Sequence, residues 1–438
     1  MSQKKVRDYV KPLLPKHVFQ LVEPSGHLLE AIAISSLRGR PAKRMHVIGV
    51  TGTNGKTTTS YMIHSILVEA GLKTALLTTV GYGVNRDIAP QIEHMTSVPP
   101  GVLQRRLSAF KKAGVDWLVM EVTSHALAQH RAWGIPYEVA VLTNVTHEHL
   151  DYHKTFERYV SAKLKLFKIA ARHGRRIGVI NADDPSANKF QSAIPNSILY
   201  GLENGNAKPT NLKLRADGSS YDIKFDGTTY HIECHIPGAF NVANSLAAVC
   251  VAHALGVSKE AIERGIASLK SVEGRMNTID EGQAYSAIVD FAHTPDAFER
   301  LLKDIRTTTK GKLVVVFGSA GRRDEAKRAE QGKIAGRYAD EVILTEEDDR
   351  DENGNEILEQ IAAGARQSDK KEGDDLFKIL NRTEAIEFAV KRVESADDTA
   401  IFLGKGHEKT IERADGAHPW NEAETVRAAI RASMKRSE

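Results

Sequence analysis

The sequence predicts an α/β protein: a P-loop-type central domain with a mostly parallel sheet plus an antiparallel meander, followed by a C-terminal Rossmann-like α/β domain. Three observations carry this. From Met45 onward short apolar runs alternate with amphipathic stretches, the spacing of a parallel sheet covered on both faces. Between about 208 and 236 the texture changes to period-two alternation with Asp217-Gly218 and Asp226-Gly227 at the turns, which is hairpin chemistry. After Glu273-Gly274-Arg275 a second strand–helix series begins. The 438 residues therefore divide into a short N-terminal segment (1–44), a central domain (45–272) and a C-terminal domain (273–438).

Taken in order, MHVIGV from Met45 reads as a buried strand, followed by a Gly-rich turn and a helix from Lys56 to Ala70 that Gly71 stops. KTALLTTV, WLVMEV, YEVAVLTNV and RRIGVIN are further strands. Between them GVLQRRLSAFKKAG places Leu103, Leu107 and Phe110 on one helical face. NVANSLAAVCVAHALG resumes the helical pattern after the meander, and SAIVDF, KLVVVFG, EVILT and TAIFLG are the strands of the last domain.

Composition excludes several classes. Lys and Arg number 60 against 56 Asp and Glu, a net charge of +4 that is too weak to argue nucleic-acid binding without a concentrated patch, so no nucleic-acid partner is expected. Two cysteines, Cys234 and Cys250, cannot build a disulfide framework or a four-cysteine zinc site. No apolar run approaches the ~18 residues that span a bilayer, and MSQKKVRDYVKPLLPK lacks a signal-peptide apolar region. The expectation is a cytoplasmic monomer with no membrane segment.

The strongest local signal is Thr51-Gly-Thr-Asn-Gly-Lys-Thr57, between a strand and a helix. Gly52 and Gly55 let the backbone wrap a phosphate through Thr53 and Asn54. The helix N-terminus beginning at Lys56, Thr57 and Thr58 favours negative charge, Lys56 neutralises it, and Thr57 is placed to hold Mg²⁺. Val50 stands where the full P-loop pattern has its first glycine, so this is the shorter G-x-x-G-K-T form. Ligands of open α/β sheets bind at the carboxyl ends of strands. Those ends carry Glu121 with Ser124 and His125; Asn144 with His147, Glu148 and His149; Asp290 with His293; Gly318; Glu346; and Lys405, His407 and Glu408.

In the helix after His149, Phe156, Val160, Leu164 and Phe167 share an arc of about 80°. Tyr159 and Leu166 flank this arc, and Lys163 falls inside the apolar face so formed, while Lys165 points away. A lysine among core positions is costly unless paired, neutralised or altered. Snorkelling from the edge of the face and a functional lysine beside metal and phosphates both fit this periodicity. His147, His149, Asp151 and His153 invite a zinc reading, but Tyr152 separates the Asp from the last His where metallo-β-lactamase-like hydrolases have them adjacent.

GVTGTNGKTTT, MEVTSHALAQHR, LTNVTHEHLDYHKTFERYVSAKLKLF, GAFNVANSLAA, EGRMN, IVDFAHTPDA, VVFGSAGRRDEAKR and LGKGHE follow one another here as they do in the Mur ligases. From about residue 45 to 430 the chain resembles that family, and looks most like its UDP-N-acetylmuramoyl-tripeptide synthetases. The resemblance implies an ATP-dependent amide-bond ligase of peptidoglycan precursor synthesis. It implies Lys56 and Thr57 on the triphosphate, with Thr57, Glu121, His149 and a carbamylated Lys163 serving two Mg²⁺ ions, CO₂ supplying the carbamate. Asn241, Asn244 and Asp290 would contact the nucleotide, Arg275 would clamp phosphate, and His293 would join the catalytic set. Thr96, Ser97, Ser124 and Arg131 match positions that bind the UDP-muramyl dipeptide; Arg350, Gly404 and Glu408 match those that bind the incoming diamino acid, meso-diaminopimelate or L-lysine.

Two departures from the family bear on substrate. About fifty residues precede the phosphate loop where relatives carry about a hundred, so a reduced N-terminal segment is expected, and a UDP-free muramyl peptide or another carboxylate, as in folylpolyglutamate synthases, is the alternative substrate. The diaminopimelate motif Asp-Asn-Pro-Arg is replaced by Glu347-Asp348-Asp349-Arg350, whose carboxylates suit a cationic amine. A non-catalytic ATP-binding derivative would be expected to have lost at least one of Lys56, Thr57, Glu121, His149, Lys163, Asp290 and His293.

Overall fold

The computed structural model describes residues 16–91, 98–146, 148–215 and 217–435. The chain forms two compact units, the first containing residues up to Val145 with Tyr152–Lys208 and Leu246–Gly265, the second containing Thr146–Asp151, Pro209–Ser245 and Ile266 onward.

The first unit is built on eight strands: β1 (His46–Thr51), β2 (Thr74–Leu77), β3 (Gly81–Val84), β4 (Asp87–Pro90), β5 (Trp117–Glu121), β6 (Tyr137–Leu142), β7 (Ile177–Asn181) and β8 (Asn196–Tyr200). Their order is β4-β3-β2-β5-β1-β6-β7-β8. The six from β2 to β8 are parallel, and β3 and β4 are added antiparallel at one edge. Near-continuous apolar runs in β1, β5 and β6 follow from helices covering both faces. The helix Phe156–Ala170 seats Tyr159, Val160, Leu166 and Phe167 in this core. It approaches so closely that a Cβ on Gly49 would lie 2.8 Å from both Leu166 and Tyr137. Pairing Val50 with Glu121 on one side and Thr51 with Leu142 on the other, β1 ends between the ends of β5 and β6. That register positions everything in the phosphate loop.

Ahead of β1 lie the helix Lys16–Leu37 and a 3₁₀ turn, Pro41–Arg44, both in contact with the helix Pro100–Lys112. No helix among the described residues is long and apolar enough to cross a membrane.

The second unit contains the meander β9 (Pro209–Arg215), β10 (Gly218–Phe225) and β11 (Thr228–Cys234), paired antiparallel. Its β10–β11 turn has positive φ at both central residues, Asp226 at 46° and Gly227 at 77°, the hairpin geometry that an Asp-Gly pair favours. A six-stranded sheet follows: β12 (Asn277–Ile279), β13 (Ser286–Asp290), β14 (Leu313–Phe317), β15 (Glu341–Leu344), β16 (Leu376–Lys378) and β17 (Thr399–Leu403), in the order β12-β13-β17-β14-β15-β16. Only β12 runs antiparallel. A hairpin of β18 (Thr410–Arg413) and β19 (Gly416–Pro419) completes it.

The short strands β3, β4, β8, β12, β16, β18 and β19 were not evident in the sequence, because strands of three to five residues carry little periodic signal. The longer predicted strands and helices form within three residues of their expected limits.

Candidate active site

In the first unit the loop after β1 is fixed by its neighbours. Gly52 has φ 155°, and a Cβ there would sit 1.8 Å from Thr143 Oγ1. Gly55, at φ 84°, caps the helix Lys56–Glu69. The end of β6 grips the loop from beside it: Thr53 N donates to Asn144 O at 2.8 Å, Asn54 N to Asn144 Oδ1 at 2.9 Å, and Thr143 Oγ1 to Asn54 O at 2.6 Å. Thr53 and Tyr159 share a hydroxyl contact of 3.0 Å. The first-turn N–H groups of the helix are thereby held in one arrangement, a ready site for anionic oxygens. Lys56 Nζ donates to Thr53 O at 2.7 Å and lies 3.9 Å from Glu121. Thr58 is buried in the same first turn.

Glu121, at the end of β5, is 3% exposed and gathers three donors on Oε2: Thr57 Oγ1 at 2.9 Å, Thr79 Oγ1 at 3.0 Å and Thr79 N at 3.1 Å. Lys163 is 1% exposed; its Nζ donates to Gly52 O at 2.6 Å and stands 4.4 Å from the Tyr159 ring. The periodicity of its helix left snorkelling open, and burial of the amine against the phosphate loop excludes it. Ser124 is buried at the start of the next helical turn, sharing a 3.0 Å contact with His153 Nε2, and Arg131 N donates to Ala126 O.

The second unit gathers the others. Asn241 Nδ2 donates to Pro237 O at 2.7 Å, and Asn244 Nδ2 to Asn241 Oδ1 at 2.9 Å. His149 has φ 56°, with Nε2 3.6 Å from the Glu148 carboxylate. Asp290 accepts from Met276 N and Ala292 N, each at 2.7 Å; burial pushes its carboxyl up against the pull of Arg275 and those two N–H groups. His293 Nδ1 lies 2.9 Å from Phe291 O, and burial together with nearby Lys327 lowers its pKa.

Around the ends of β15 and β17 lies an acidic pocket. Lys405 is fully buried, donating to Asp348 at 2.7 Å and Glu408 at 2.6 Å. Burial alone would depress the lysine, but those two carboxylates leave it raised, while burial raises Glu408. Glu346 pairs bidentately with Arg413, both contacts 2.8 Å. Burial and the neighbouring carboxylates push Asp349 up to about 6. Arg350, at φ 56°, donates from Nη1 to Gly321 O and lies 3.8 Å from Asp348. Glu347 is 6% exposed and its Oε2 has no partner; Gly404 admits it, since a Cβ there would stand 2.6 Å from that oxygen.

Two domain families match: Mur ligase middle domain over residues 50–252, and Mur ligase glutamate ligase domain over 274–406. A UDP-N-acetylmuramyl-tripeptide synthetase of Deinococcus radiodurans is 39% identical over 94% of this chain and 83% of its own. The chain belongs to the Mur ligase family. A UDP-N-acetylmuramoyl-L-alanyl-D-glutamate–2,6-diaminopimelate ligase of Geobacillus thermodenitrificans is 37% identical over 94% of this chain and 84% of its own. A solved structure of a ligase so named superposes with TM-score 0.65 at 30% identity, covering 94% of this chain and 83% of that one. This Mur ligase is thus an ATP-dependent ligase that forms peptide bonds.

Thr96, Ser97 and His147 lie outside the described residues. Sequence reasoning missed Thr79, whose signal was its place just past the end of β2, next to β5. It also missed Glu347 as a buried acceptor, because nothing in a run of four acids distinguishes the one left unpaired. In this Mur ligase Phe291, an unremarked apolar residue, collects Arg275 at 4.7 Å, His293 at 4.6 Å and His407 at 4.8 Å around its ring.

Proposed function

We propose that the protein joins a diamino acid, meso-diaminopimelate or L-lysine, to the D-Glu carboxylate of UDP-N-acetylmuramoyl-L-Ala-D-Glu in the cytoplasm, converting ATP to ADP and phosphate. The observation that carries this reading is the phosphate loop clamped beside the Thr57–Glu121–Thr79 cluster, with Lys163 buried against it. The printed activities of the relatives supply the substrate class.

In the first step a substrate carboxylate oxygen bonds to the terminal phosphorus, the bond to ADP breaks, and an acyl phosphate results. The neutral amine of the diamino acid then attacks the acyl carbon. A C–N bond forms, phosphate leaves with the C–O electron pair, and the amine proton passes to solvent. Lys56 and the helix N-terminus would hold the triphosphate, Asn241, Asn244 and Asp290 the nucleotide, and Arg275 the phosphate. Thr57 and Glu121 present hard oxygens already joined by a hydrogen bond, donor chemistry that fits Mg²⁺, and His149 would serve a second ion. Bound there, Mg²⁺ neutralises charge developing on the phosphates. The Lys163 amine, buried and held against the loop by Gly52 O, is the group that CO₂ would carbamylate, and the product would offer a further carboxylate to the metal.

The acidic pocket favours an acceptor with a second ammonium. Each of Glu346, Asp348 and Glu408 is held by a cation, which leaves the Glu347 Oε2 to receive one from the substrate. The test is phosphate release with ATP, Mg²⁺ and UDP-N-acetylmuramoyl-L-Ala-D-Glu, adding meso-diaminopimelate, L-lysine or L-ornithine in turn. Release that needs both dipeptide and one amino acid supports the reading and names the acceptor. Stimulation only by a UDP-free muramyl dipeptide would transfer the activity to that substrate, and none at all would leave an ATP-binding scaffold.

A further inference from the structure

Two buried nitrogens at the ends of β13 and β17 lack partners: Arg275 Nε and His407 Nδ1. Both belong to groups laid on Phe291, the Arg275 guanidinium 4.7 Å from its ring and the His407 imidazole 4.8 Å. The backbone brings them together by close approach. Gly274, at φ 66°, precedes Arg275, and a Cβ on it would lie 2.3 Å from His407 N. Gly406, at φ 47°, precedes His407, and a Cβ there would lie 2.6 Å from Phe291 Cβ. Only glycine fits at either position, so the segments carrying the arginine and the histidine are pressed against one another.

Three charged groups of these segments are already engaged. Lys405 is held by Asp348 and Glu408, and Lys409 by Glu273. Asp290 is occupied by two backbone N–H groups. Among the described residues no carboxylate lies within ion-pairing distance of Arg275. An Nε–H can only donate, and a buried donor without an acceptor costs free energy unless a ligand supplies one. Arg275, Lys409, Lys405 and His293 all bear on His407 and, after burial, keep its imidazole neutral, so its ring still carries one N–H to offer.

We infer that His407 is a second oxyanion-binding residue, which donates from Nδ1, beside Arg275 Nε, to the phosphate oxygens handled in the ligase reaction. The inference rests on the ligase reading for the identity of its anion, a tetrahedral phosphate, but not for the existence of the two-donor site. Donors left without acceptors in the folded unit would, on meeting a phosphate that moves from nucleotide to acyl group to solvent, favour the charged transition state without reorganisation.

Three variants of the full chain separate this from a packing role. His407→Asn keeps a donor near the Nδ1 position, His407→Gln moves it to the Nε2 position, and His407→Phe keeps the contact with Phe291 but removes the donor. Titration with inorganic phosphate, with ADP and with glycine, followed by calorimetry and ³¹P line width, reads the site without turnover. Phosphate affinity should fall about 10- to 100-fold in the Phe and Gln variants, the worth of one hydrogen bond to a charged group, and stay within about threefold in Asn. In turnover, kcat should follow the same order while KM for ATP changes little. Should the Phe variant fail to fold, the Asn and Gln pair makes the same comparison. Equal phosphate affinity in all variants overturns the proposal, as does a loss seen with glycine and not with phosphate, which would make the anion a carboxylate. If the wild type binds phosphate through His407 yet ligates nothing, the ligase reading fails and the site stands.

Discussion

Glu121 shows how much one carboxylate at a strand end can organise. It holds Thr57 and Thr79 with a single oxygen, so Glu121→Ala leaves three donors without their acceptor. The change should cost about 1–3 kcal/mol in denaturant unfolding and abolish turnover, since the proposed metal position is lost with it. Lys163→Ala removes the amine that holds Gly52 O. Turnover should fall at least about 100-fold and recover in part with added acetate or formate if a carbamate is the working group. Full stability without any recovery would remove the carbamate from the reading. Asp349 sets a pH dependence. Its folded pKa of about 6 lies above the ordinary 3.8, so the folded state holds the proton more tightly than the unfolded chain. The stability this contributes is complete below about pH 4 and lost as pH climbs through 6. Asp349→Asn should therefore remove that decline, raising stability at pH 7 by on the order of 1–2 kcal/mol once solvent screening at this partly exposed site is allowed for.

At the scale of elements, buried polar ties do what apolar packing cannot, which is to fix where helices begin relative to strand ends. Arg382 opens one helix and Glu422 another, and both side chains are fully buried. The guanidinium contacts both Glu422 oxygens and also caps Leu403 O at the end of β17 and Glu346 O past β15. Arg382→Met strands Glu422 and should cost about 3–5 kcal/mol, whereas Arg382→Met with Glu422→Leu should recover most of it. Thermal melts of the three chains check both statements. Elsewhere backbone contact replaces side chains: a Cβ on Gly332 would stand 1.9 Å from Ile361 O, and one on Gly364 1.8 Å from Ala329 O. The helices Ala326–Tyr338 and Gly354–Arg366 touch through these glycines, and the acidic pocket hangs from the loop between β15 and the second helix.

At the scale of the molecule, a nucleotide that binds the folded loop and not the unfolded chain stabilises it by mass action. At a hundredfold excess over Kd this is about 2.7 kcal/mol, and for units of 150–250 residues it corresponds to a rise in Tm of roughly 5–10 °C. ATP with Mg²⁺ should produce that rise in scanning calorimetry and Lys56→Ala should abolish it. The sequence by itself determined the α/β class, the phosphate loop and the meander, because apolar periodicity, glycine placement and Asp-Gly turns act over a few residues. It also marked Lys163, because a lysine inside an apolar arc is a local contradiction. Only tertiary structure decided the remainder. Which of the acids Glu346 to Asp349 keeps a free oxygen depends on Arg413, Lys405 and Gly404, which are far away in the chain. That Thr79 joins Thr57 on Glu121 follows from β2 lying beside β5, and that His407 lies beside Arg275 follows from β17 pairing with β13. Hydrogen bonds and desolvation act over a few ångströms in space, and strand order, which sets those distances, is a property of the whole sheet.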